Sequence, residues 1–277
     1  MATALAPSAP TAERTRPAYR PATFADAARA EWTKLRTVRS TYWCLLVAVV
    51  LGVGLGVLVS AISASHYSTD PGVHQGWNPT DRSIQSLAIA QLAFAILGVL
   101  VVTGEYSTGL IRVSLAVVPK RSRLLGAKVV VFTAMTLVAG EVIGFAAFLI
   151  GQAVMSGEAP TANLGTHEAL RVVIGAGVYL ALLSLLGLAL GVLLRNAAAA
   201  IGSIVALLLV LPGIANALPS SWSNPIEKFW PTNAGQQIAM ITRDSHTLAP
   251  WSGLALFAVF VAVVLVGAFV VLERRDA

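Results

Sequence analysis

The stretch V-V-I-G-A-G-V-Y-L-A-L-L-S-L-L-G-L-A-L-G-V-L-L, from Val172 to Leu194, meets Arg195 and Asn196. It then resumes as A-A-A-A-I-G-S-I-V-A-L-L-L-V-L-P-G-I-A-N-A-L from Ala197 to Leu218. A helix needs about 20 mostly apolar residues to cross a bilayer. The block is too long for one crossing, and Arg195 and Asn196 divide it into two crossings joined by a tight turn. Hydrocarbon offers no partner to a bare backbone, so only helices and closed barrels span it. The apolar runs are continuous rather than alternating, which excludes the barrel.

Four more runs of the same kind lie outside this block, at Tyr42–Ile62, Ser83–Thr103, Val129–Ile150 and Trp251–Leu272. The expected class is an all-α integral membrane protein with six transmembrane helices. Basic residues set its orientation. With both termini cytoplasmic, the inner segments hold fifteen of the 19 Lys and Arg, and the outer ones only Arg82, Arg171, Lys228 and Arg243. Lys and Arg, not net charge, carry the positive-inside rule. A basic inner surface facing anionic lipid then accounts for the formal net charge of +6 without any nucleic acid.

Cys44, the single cysteine, falls in the first span, so no intrachain disulfide or cysteine metal site can form. His66, His74, His167 and His246 lie in outer loops without ligand-like spacing. Abundant Ala, and Arg in preference to Lys, fit a GC-rich bacterial gene. The expected location is the plasma membrane of such a cell, as a multi-pass protein.

Residues 1–22, rich in Ala, Pro, Thr and Arg, read as a disordered cytoplasmic tail, and 23–277 as one six-helix transmembrane domain. The first apolar run begins only at Tyr42 and exceeds the roughly 7–15-residue core of a secretory signal, so a retained span is expected. Thr23 and Asp26 have the spacing of a capping box. From there Phe24, Ala28, Trp32, Leu35 and Val38 share one arc of a helix, while Arg29, Lys34 and Arg36 lie outside it. That is the pattern of an N-terminal interfacial helix. Glu31 interrupts the arc. Either it snorkels or pairs with Lys34, or that face meets a partner protein.

The outer loops Ser63–Arg82 and Gly151–Arg171 are polar and carry turn-forming Pro and Gly. Pro219–Pro250, the longest, includes an amphipathic piece, Ala234–Thr242, that either lies at the outer interface or dips back into the bilayer. Trp222, Trp230 and Trp251 fit an aromatic belt there.

Between spans two and three runs G-E-Y-S-T-G-L-I-R-V-S-L-A-V-V-P-K-R-S-R-L-L-G-A-K, from Gly104 to Lys128. Ser107 or Thr108 can cap a short helix over Gly109–Val118, which Pro119 ends. Its apolar side chains, Leu110, Ile111, Val113, Leu115, Val117 and Val118, span nothing. Apolar surface outside the bilayer marks a docking site, and the competing reading is a second helix lying on lipid.

Here the chain resembles the permease subunits of ABC transporters of the ABC-2 type. The resemblance rests on E-W-T-K-L-R from Glu31 ahead of span one, and on G-E-Y-S-T-G followed by Arg112 and P-K-R-S-R. The third match is six spans with the longest outer loop before the last. It implies that Gly109–Val118 is a cytoplasmic coupling helix seated in a separate ATP-binding subunit. Glu105 and Arg112 would be its polar anchors, with Leu110 and Val113 on its surface and the Glu31 helix beside it. It implies a second permease copy or homologue around a translocation path, and export of a hydrophobic or amphipathic substrate such as a drug, antibiotic, lipid or peptide. No G-x-x-x-x-G-K-[ST] loop occurs in this chain, so ATP and Mg are expected on the partner and no cofactor or catalytic residue here.

Polar groups at membrane depth are the remaining candidates for lining a path: Gln85, Gln91, Glu141 and Asn216. A central acidic residue costs about 2.5–3.5 kcal/mol, while the twelve Val, Ile, Leu and Phe of Val129–Ile150 return about 5 kcal/mol, so span three still inserts. Glu141 should then face the bundle or a wet cavity, as a path group or as a hydrogen-bonded structural one. If it carries protons or cations, an ion-gradient-driven secondary transporter is the alternative function, although no clear inverted repeat supports it. A membrane-embedded enzyme would need convergent catalytic groups, and Glu141 stands nearly alone.

Overall fold

The computed structural model describes residues 22–118, 120–242 and 244–274. Among these, every regular element is a helix, and six helical segments are long and apolar enough to cross a membrane. The expected tail therefore lies outside the described residues, except for Ala22.

The first helix among the described residues is α1 (Phe24–Thr37), opened by the capping box: Asp26 N–H donates to Thr23 Oγ1, and Thr23 N–H to Asp26 Oδ2. The first span follows as α2 (Arg39–Val49), a π-helical segment (Val50–Gly54) and α3 (Leu55–Thr69). The second is α4 (Pro79–Ile84) and α5 (Leu87–Ser107). After the short α6 (Leu110–Val117) come the third, α7 (Arg121–Met155), and the fourth, α8 (His167–Leu194). The fifth is α9 (Ala197–Val205), a second π segment (Ala206–Val210) and α10 (Leu211–Asn216). Two shorter helices, α11 (Ser220–Phe229) and α12 (Pro231–Gln236), precede the sixth, α13 (Pro250–Arg274).

Spans two and four form the buried centre. Lipid is as apolar as Leu, so helices in a membrane gain by close approach and dispersion rather than by leaving water. The approach here is very close. A Cβ added at Gly98 would fall 2.0 Å from the Ser184 carbonyl oxygen, and one at Gly187 2.2 Å from that of Ala95.

Both π segments follow one logic. A wider turn takes a carbonyl out of the regular ladder, and membrane depth requires a substitute donor. Ser86 Oγ donates to the Gly52 carbonyl at 2.6 Å, and Trp230 Nε1 to the Leu207 carbonyl at 2.9 Å. Trp230 thus serves as a backbone donor to span five, whereas Trp222 and Trp251 are both largely exposed.

Helices run past the apolar stretches at several points. The expected loop Ser63–Arg82 is helical to Thr69 and again from Pro79, and α7 starts at Arg121, two turns before Val129. Its 35 residues span roughly 50 Å, well beyond the roughly 30 Å hydrocarbon thickness. The segment before α13 folds back between spans four and six. An added Cβ at Gly235 would meet Phe257, two turns into α13, and one at Gly175 would meet Ile238.

Candidate functional site

The end of the bundle carrying α1 and α6 gathers most of the basic side chains, and there the chain builds its most connected polar structure. Glu31 faces inward with Ala27 and Leu35 along one stripe of α1, and only 1% of it is exposed. The lysine Lys34, three residues on, donates from Nζ to Glu31 Oε1 at 2.7 Å, Glu105 Oε1 at 2.9 Å and Ser114 Oγ at 3.0 Å. On the other side Lys128 of α7 donates to Glu31 Oε2 at 2.5 Å and to Glu105 Oε1 at 2.8 Å.

Two carboxylates and two ammonium groups thus form a charge-balanced quartet on α1, α5 and α7, buried except for the half-buried Lys34, and Ser114 ties α6 to it. Burial favours a neutral Lys34, but its hydrogen bond to Glu31 and the charges of Glu105 and Glu31 outweigh that and raise its pKa above the ordinary 10.5. A raised lysine pKa contributes stability fully present below the unfolded value and lost only as pH rises through the folded one. Near neutral pH Lys34 therefore stays charged.

Above the quartet sits α6. Its N-cap, Gly109, has φ +72°, a left-handed conformation that a side chain would strain. Ser107 and Thr108 do not cap α6. Their hydroxyls turn back to the Gly104 carbonyl, at 3.0 and 2.7 Å, and close the end of α5. One face of α6 is buried: Ile111 and Val118 pack on Ala27, Leu124 and Ala127 in a small core separate from the main one. The other face is open. Leu110, Val113 and Val117 form an exposed stripe at i, i+3 and i+7, with Val113 61% exposed and Arg112 exposed beside them.

Further ties fix the same end. Arg123 Nη1 donates to the Ala22 carbonyl at 2.6 Å, Arg121 Nη1 to the Leu272 carbonyl at 3.0 Å, and the Arg195 guanidinium lies 5.3 Å from the Tyr106 ring centre. Several residues counted as positive-inside charge are therefore internal struts. Glu31 and Glu105 are both buried in the quartet, and α6 is bonded to it through Lys34 and Ser114. The bland pairing of Glu31 with Lys34 is present; a partner-facing Glu31 is not.

Sequence reasoning missed Lys128 and Ser114. A signal existed for Lys128, which lies one residue before the apolar run of span three, level with Glu105 just beyond the run of span two. An acid and a base at equal depth on neighbouring antiparallel helices pair readily.

The four path candidates do not converge. Gln91 is buried and accepts from Tyr179 Oη at 2.7 Å, Gln85 is exposed at the opposite end, and Asn216 is exposed at the end of span five. Glu141 lies in the seam between α7 and α8, where an added Cβ at Gly177 would fall 2.5 Å from its carboxyl carbon. Its Oε2 is buried with no hydrogen-bond partner among the described residues.

A bundle of six apolar spans with an amphipathic helix held over a charged quartet defines a multi-pass membrane domain. The profile of the family described as ABC-2 family transporter protein matches residues 27–213, and the chain belongs to that family. It is therefore the membrane permease of an ABC transporter. The match takes in α1 from Ala27, the quartet, α6, the first four spans and the fifth as far as Gly213. A search of curated proteins found no match.

Proposed function

We propose that this chain is the permease subunit of an ATP-driven exporter, and that the stripe Leu110–Val113–Val117 of α6, with Arg112, seats in a separate ATP-binding subunit on the cytoplasmic side. The carrying observation is the division of α6 into two apolar faces. One is buried on the chain's own small core, and the other is exposed although α6 is not needed to cross the bilayer. An exposed apolar stripe rimmed by a cation suits a protein groove.

Force applied at that stripe passes to spans two and three through the quartet, because Lys34 bonds Ser114 of α6 and Glu105 of α5 while Lys128 bonds Glu105 from α7. Glu31 and Glu105 transmit, and Leu110, Arg112 and Val113 contact. A second copy completes the translocation path, and the cargo is hydrophobic or amphipathic, in keeping with few charges at membrane depth.

Mild-detergent co-purification from the native host tests the proposal. An ATPase should accompany the chain, and replacing Leu110, Val113 and Val117 with Asp should release it while the permease stays monodisperse. Transport that follows a proton or sodium gradient and ignores ATP depletion would instead establish the secondary transporter.

A further inference from the structure

At the end opposite α6, a cavity of about 390 Å³ opens between span two, span four and the fold-back segment before α13. That volume is within the usual range for small-molecule sites. Its third wall is the strap Ile238–Thr242, gripped by two charged side chains. Asp81 accepts the Ile241 and Thr242 N–H groups, both at 2.8 Å, and Arg171 donates to the Ile238 and Met240 carbonyls, both at 3.0 Å. Charge-assisted bonds to backbone hold a wall more firmly than apolar contact alone. The cavity is therefore preformed.

The interior is greasy, lined by Ile84, Leu87, Ala88, Ala176 and Leu180 and by the ring of Tyr179, whose hydroxyl is committed to Gln91. Near the mouth the polar groups differ in availability. Asp81 is engaged by the strap, and Asn78 Oδ1 accepts the Thr80 and Asp81 N–H groups. By contrast, Arg82 makes no ion pair among the described residues and rests its guanidinium 5.9 Å from the Trp77 ring centre. Gln85 lines the same wall with its side chain exposed.

An unpaired cation and an amide beside an apolar chamber select one ligand chemistry. We infer that this cavity binds an amphiphile with an anionic head group, its head at Arg82 and Gln85 and its apolar part along Leu87, Ala88 and Leu180. The site lies within one chain and does not rest on the exporter reading. A membrane lipid and a free amphiphile share this chemistry.

Purified full-length chain in a neutral maltoside detergent, titrated with dodecyl phosphate and with dodecyltrimethylammonium, tests the inference. The anion should bind about tenfold more tightly, the effect of one charge-assisted hydrogen bond. Arg82→Gln should erase that preference, and Ala88→Phe should weaken both amphiphiles by filling the chamber. Native mass spectrometry from phosphatidylglycerol and phosphatidylcholine nanodiscs separates the sources. Phosphatidylglycerol retained by the wild type and lost from both variants identifies a lipid; dodecyl phosphate binding without retained phosphatidylglycerol identifies a free amphiphile. An anion preference that survives Arg82→Gln, unchanged affinity in a monodisperse Ala88→Phe, or no binding by the wild type would overturn the inference.

Discussion

The two ends of the bundle use charge in different ways. Beneath α6, charged side chains bond one another in a largely buried quartet, and among the described residues its one non-ionic side-chain partner is Ser114. At the opposite end Asp81 and Arg171 bond backbone, fixing a strap that walls a cavity. Paired side chains on three helices, bonded to Ser114 on a fourth, tie those helices together, whereas side chains that grip a peptide segment hold a shape. The first arrangement suits transmission and the second suits a binding wall.

That contrast is broken most severely by removing one member of the quartet. Lys128→Met leaves two carboxylates facing a single lysine and should destabilise the chain by about 3–5 kcal/mol, read as a fall in the thermal midpoint in detergent. Adding Glu31→Leu restores charge balance around Lys34 and Glu105, and the double variant should recover most of the loss. A double variant no better than Lys128→Met would show that the quartet is not a balanced unit.

At the other end Asp81→Ala orphans two backbone N–H groups only partly shielded from water, so about 1–2 kcal/mol is expected. Its larger signature is local: a cysteine placed at Met240 should react faster with maleimide once the strap is released. Equal reactivity with and without Asp81 would remove the strap from the account. Gly109→Ala should cost a similar amount, about 1–2 kcal/mol for a left-handed N-cap, and should weaken partner association more than it lowers the thermal midpoint. The smallest stability effect belongs to Val113→Asp, within about 0.5 kcal/mol because the side chain is exposed. Its effect on association should nevertheless be among the largest, and that separation distinguishes a docking face from a packing face.

The sequence announced six spans because bilayer thickness imposes a length on apolar runs. It hid the helix ends, since Arg121–Lys128 reads as loop when only hydropathy is counted, yet the hydrogen-bond ladder of α7 continues through it. Glu31 and Lys34 were visible as a pair one turn apart. Lys128 was not, because its charge had already been assigned to topology. The cavity left no local trace at all: Asp81 and Arg171 act on peptide groups of residues 238–242, and backbone partners carry no side-chain signature. The role of Ser107 and Thr108 was equally hidden, because a hydroxyl in the last turn of a helix can bond its own i−3 or i−4 carbonyl as readily as it can cap the next helix.

The exposed stripe of α6 is best probed by a photo-crosslinking amino acid placed at Val113 in living cells, with Ile111, buried on the chain's own core, as the control position. The account predicts a covalent adduct from position 113 with an ATP-binding protein and none from position 111. Adducts from position 113 with lipid alone, or labelling of that position by a reagent confined to the cell exterior, would contradict it.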